Sequence, residues 1–70
     1  MLRIKAERLR RGWSQTVLGY HAGMAASDVS RIENGYLRPY PAAATRLSAA
    51  LDVKPEALLD DVGQSLPIAS

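Results

Sequence analysis

Apolar residues recur along this chain at helical spacing, and glycines and prolines cut the pattern into short pieces. Leu2, Ile4, Leu9 and Trp13 stand among charges up to Gly12, which predicts a first helix closed by a glycine at C′. Ser14 offers an N-cap oxygen to a second helix, Gln15 to Ala22, with Leu18 and Ala22 inward at i, i+4 and Gly23 as its stop. Gly19 lies inside that helix, where glycine costs roughly 1 kcal/mol relative to alanine, so it predicts the close approach of another helix. Trp13 is expected in the core and His21 on the surface of the second helix.

A third helix is predicted from about Ala26 to Glu33 or Asn34, ending at Gly35. At about 100° per residue, Ala25, Val29 and Ile32 fall on one side with Glu33 at its edge, while Ser27, Ser30, Arg31 and Asn34 fall opposite, flanked by Ala26 and Asp28. The apolar stripe docks the helix and the polar stripe faces out. "YLRPYP" reads as an extended loop, because each proline restricts the residue before it. Pro41 can open a fourth helix through Leu51, with Leu47, Ala50 and Leu51 inward. Pro55 is expected to start a fifth, "PEALLD", whose Leu58 and Leu59 close the core. The fold class expected is all-α, a compact five-helix bundle over residues 1–60, with a flexible tail over 61–70.

Composition narrows the chemistry. The chain has 70 residues, no cysteine and one histidine, so disulfides, thiolate metal sites and histidine clusters are excluded and stability must come from packing. No apolar run approaches the roughly 18 residues of a membrane span, and a soluble, cytoplasmic protein is expected. The net charge of +2 is unevenly distributed. Eight Lys or Arg oppose three acids up to Arg46, leaving +5; after it Lys54 alone opposes Asp52, Glu56, Asp60 and Asp61, leaving −3. One end is built to meet polyanions. An enzyme is not expected: the histidine has no nucleophile or acid arranged with it, and there is no glycine-rich phosphate loop; no metal or cofactor is implied.

Two short helices joined at Gly23, the second with an outward polar stripe, make the arrangement of a helix-turn-helix. "LRRGWSQTVLGYHAGMAASDVSRIENGYLRP", followed by "LSAALDV" and "ALL", resembles the lambda repressor and Cro-type helix-turn-helix family, also called the xenobiotic-response-element family. The resemblance runs from Met1 to Leu59 without a gap, and it implies double-stranded DNA as partner with the third helix in the major groove. Carried over by position, Ser14 and Gln15 would meet a phosphate, with Arg38 and Tyr40 adding phosphate contacts from the loop. Ala26, Ser27 and Arg31 would read base edges, Arg31 best of all because its guanidinium matches guanine O6 and N7; the alternative for Arg31 is a solvated helix arginine paired with Asp28 at i, i+3. Arg8 and Glu33 would form a structural ion pair between the first and third helices.

This chain departs from the family at Ala25, where a capping Ser or Thr is common. Asp28 then either caps the helix by reaching back to the Ala25 amide, which the sequence favours, or accepts from cytosine N4; Ser30 stands beside it as a further cap or base-reading residue. With so few base contacts, a dimer reading two half-sites is expected, its interface supplied by the fourth and fifth helices and extended by Leu66 and Ile68. A small repressor is the function implied. The alternative is an antitoxin or adaptor whose protein partner grips Val62, Leu66 and Ile68, with DNA binding kept for autoregulation.

Overall fold

In the computed structural model, described over residues 1–62, the helices are α1 (Arg3–Arg10), α2 (Gln15–Ala22), α3 (Ala26–Glu33) and α4 (Pro41–Leu51). Their bounds follow the sequence punctuation closely. Each helix ends in the same way, with a left-handed residue (Gly12, Gly23, Gly35 or Asp52) that turns the following N–H back onto a carbonyl of the last turn. The bonds run from Trp13 to Arg8, Met24 to Gly19, Tyr36 to Arg31 and Val53 to Ser48, at 2.8–3.1 Å. At the other ends, the Ser14 hydroxyl accepts from the Val17 amide at 3.0 Å, and Pro41 opens α4 from an extended Tyr40.

α2 packs against α3 and α4, and α1 against α4. Ile4, Leu18, Ala22, Val29, Ile32, Leu47, Leu51 and Leu58 form the core where these elements meet. Two arginines tie helix ends together across the fold. Arg11 donates to the Leu51 carbonyl at the end of α4 at 2.6 Å, and Arg46 donates to the Ala22 carbonyl at the end of α2 at 2.7 Å. Each satisfies a carbonyl that has no partner within its own helix.

Four expectations need correction. The fifth helix is a single 3-10 turn, Pro55–Ala57, although Leu58 does close the core and Leu59 packs partly against it. The carbonyls that follow it serve α1 instead: Leu58 and Asp60 accept from the Ile4 and Arg3 amides at 2.9 and 2.7 Å, capping an α1 that has no side-chain cap. Gly19 is buried, but what approaches it is the turn itself; a Cβ there would run into the Met24 carbonyl oxygen. Ala25 is exposed, because it is the extended N-cap of α3 and precedes the buried stripe. Trp13 is only partly buried, since its ring lies against the exposed His21 as well as against the core.

Asp61 and Val62, assigned by the sequence to the tail, are tied to the start of the chain. Leu2 and Asp61 form an isolated antiparallel bridge, the Val62 amide donates to the Met1 carbonyl at 2.9 Å, and the Met1 ammonium pairs with Asp61 at 3.2 Å. Residues 63–70 of the expected tail, including Leu66 and Ile68, lie outside the described residues. Among the described residues there is no strand, and no helix is long and apolar enough to cross a membrane.

Gly19→Ala tests the turn. Alanine gains roughly 1 kcal/mol in helix propensity, yet the clash makes the net effect a loss of about 1 to 3 kcal/mol, measurable as a lower urea midpoint. A second test concerns Glu7, which accepts from Arg10 at 2.6 Å and Arg11 at 2.9 Å. Burial pushes its carboxyl up, but the hydrogen bonds and charges of the two arginines outweigh this and hold it below its ordinary value. Its contribution is therefore present above the ordinary carboxylate range and is lost as pH falls through the lowered value. The stability gap between the native chain and Glu7→Gln, followed by thermal melts, is expected to be widest near neutrality and to close in acid.

Candidate nucleic-acid interface

The interface is built on one buried polar network. The Arg8 guanidinium grips Glu33 with two bonds, Nε to Oε2 at 2.6 Å and Nη2 to Oε1 at 3.1 Å, and its Nη1 donates to the Trp13 carbonyl at 2.7 Å. Gln15 Nε2 completes the set by donating to Glu33 Oε1 at 3.1 Å. The Arg8 and Glu33 side chains are only 9% and 1% exposed, so the pair is desolvated, and each of its nitrogens and oxygens has a hydrogen-bond partner in the protein. The network joins α1, the turn into α2, the first residue of α2 and the last residue of α3. It fixes how the two helices of the motif stand to each other.

With Val29, Ile32 and Glu33 turned inward, α3 presents Ser27, Arg31 and Asn34 to solvent, while Ala26, Asp28 and Ser30 are half-buried along the margins. The Asn34 amide donates to the Ser30 carbonyl at 2.8 Å and lies 3.4 Å from its hydroxyl. Asp28 does not form the expected cap. Its carboxylate accepts from Arg31 Nη1 at 3.4 Å, one turn along the same face, instead of reaching back to the Ala25 amide. It still lies in the first turn of α3, where a negative charge complements the helix dipole.

Ser14 and Gln15 both begin α2, but their side chains are engaged, one in the cap and the other with Glu33. Arg38 and Tyr40 are exposed in the loop between α3 and α4, as is Tyr36. The structure thus brings Arg8, Glu33 and Gln15 into contact and places Asp28 beside Arg31. Arg38 and Tyr40 have no side-chain partner among the described residues. Sequence reasoning missed the roles of Arg11 and Arg46, counted only as charge, because their acceptors are backbone carbonyls 40 and 24 residues away. Five of the eight basic residues of the positive half, Arg8, Arg10, Arg11, Arg31 and Arg46, are engaged in internal bonds, so its outward charge is smaller than the count suggests.

The profile of the helix-turn-helix domain family matches residues 2–62. The chain belongs to that family. No curated protein and no solved structure was found to match it. As a helix-turn-helix domain, it has the fold of a DNA-binding protein, with α2 and α3 as the two helices of the motif.

The network is expected to be costlier to break than to replace. Arg8→Met, which strands the Glu33 carboxylate with Gln15 alone, should lower the unfolding free energy by about 3 to 5 kcal/mol. The double change Arg8→Met with Glu33→Leu should lose clearly less than the sum of the two single changes. A double-mutant cycle by urea unfolding measures the difference, and additive losses would mean the two side chains are not coupled.

Proposed function

We propose that this protein binds double-stranded DNA with sequence preference and acts as a small transcriptional repressor of the lambda repressor and Cro type, in the cytoplasm and as a homodimer. The observation that carries this reading is the outward stripe of α3, Ser27, Arg31 and Asn34, on a helix anchored from behind by the buried Arg8–Glu33 pair. A base-reading helix needs both polar side chains in reach of the groove and a backbone that does not shift beneath them. Ala26, Ser27 and Arg31 lie toward base edges, with Arg31 donating to guanine O6 and N7. Ser14 and Gln15 offer a phosphate the amide end of α2, and their own side chains steady that end. Arg38 and Tyr40 add phosphate contacts from the loop.

With one long donor side chain on the stripe, a single copy reads little sequence, and two copies on an inverted repeat supply the remainder. Among the described elements, α4 and the 3-10 turn are left to form the contact between copies.

Selection of duplexes from a random-sequence library by the purified chain tests this reading. One enriched motif, bound roughly a thousandfold or more over a scrambled duplex and with steep salt dependence, is the expected result. Weak, equal binding to all duplexes would reverse it in favour of a role that depends on a protein partner. On the selected duplex, Arg31→Ala should cost on the order of 1 to 3 kcal/mol and relax one base position. Arg38→Ala should instead weaken selected and scrambled duplexes alike and reduce the salt slope by about 1 per chain.

A further inference from the structure

The outward side of α3 carries one cation and one anion, and they face each other. Arg31 Nη1 donates to Asp28 Oδ1 at 3.4 Å, with the two side chains 63% and 43% exposed. A pair so exposed contributes little to stability. Its position gives it another consequence, because a carboxylate on the side that approaches DNA is repelled by every phosphate, whatever the sequence. Asp28 therefore lowers the affinity for all duplexes, and besides complementing the helix dipole it can improve the choice among them.

The hydrogen-bond geometry supplies the means. A guanidinium has five N–H groups, and the bond to Asp28 is made through Nη1. The edge formed by Nε and Nη2 stays free, which is the edge Arg8 uses to grip the two oxygens of Glu33. The same edge fits the O6 and N7 acceptors of guanine. Asp28 thus holds Arg31 through Nη1, leaves the two-donor edge available and offsets the charge, which weakens the pull of Arg31 on a phosphate anion more than on the neutral O6 and N7 acceptors. When the groove excludes water the local dielectric falls, and the bond that holds Arg31 in this orientation strengthens.

We propose that Asp28 is a specificity-determining residue that orients Arg31 and withholds its charge from phosphates, exchanging affinity for any duplex for discrimination at one base pair. This rests on the reading of α3 as the base-reading helix. The chemistry recognised is a guanine edge in the major groove.

The test compares the native chain with Asp28→Asn, Asp28→Glu and Arg31→Ala, each shown by circular dichroism to be folded at the temperature used. Each is titrated across a salt series against the selected duplex, against the same duplex with the Arg31-dependent base pair exchanged, and against a scrambled duplex. Asp28→Asn should bind the scrambled duplex roughly threefold tighter at low salt and lose about fivefold in preference for the selected base pair. Asp28→Glu, which keeps the charge within reach of Arg31, should restore most of that preference. A residue that merely supports the helix would move the melting temperature and leave the preference ratio unchanged.

If Arg31→Ala relaxes the base pair while Asp28→Asn changes neither the ratio nor the scrambled affinity, the role of Asp28 is overturned and the reading of α3 stands. If Asp28→Asn instead alters the preferred base at a neighbouring pair with scrambled affinity unchanged, Asp28 reads a base itself and the proposal fails. If Arg31→Ala leaves every preference intact, α3 is not the reading helix, and both fall together.

Discussion

The fold depends on a buried ion pair that a domain of this size has few means to replace. Arg8 and Glu33 are far apart in sequence, and their contact fixes the last turn of α3 against α1. The pair is tolerable in the interior because the Trp13 carbonyl and the Gln15 amide add bonds to the atoms it presents. A leucine pair would fill the same space with less desolvation, but it would not fix the rotation of α3 about its axis. Two parallel bonds between planar groups impose that rotation, and the rotation decides which side chains stand outward.

The remaining order is assembled from backbone bonds made between elements. α1 has no capping side chain, so its first amides take carbonyls from the segment after the 3-10 turn, and the end of the described chain is held beside its start. Arg11 and Arg46 do the corresponding work at the ends of α4 and α2. Three cross-links of this kind, made among elements of eight to eleven residues, leave little freedom for the helices to slide.

Much of this was legible in the sequence where the cause was local. Ser14, Gly12, Gly23, Gly35 and Pro41 act on their own backbone, so the helix limits could be read from single residues, and the alternation of Val29 and Ile32 with Ser27 and Arg31 gave the two faces of α3. What escaped was non-local. "PEALLD" has the composition of a helix, but after one 3-10 turn its carbonyls at Leu58 and Asp60 serve the amides of α1, a partner that lies at the other end of the sequence. Gly19 signalled a close neighbour without saying that the neighbour was its own turn. At the candidate site the ion pair and the outward residues were identifiable by position. The spacing also offered the pairing of Arg31 with Asp28 at i, i+3, and the structure takes it in place of the favoured cap.

The stack of Trp13 on His21, with ring centres 4.5 Å apart and planes 21° from parallel, has a practical side. The chain contains one tryptophan, and its carbonyl is held by the arginine of the buried pair. Its emission comes from the turn between α1 and α2, with the imidazole of His21 against the ring, so the molecule carries its own optical gauge of whether that turn is packed onto α2.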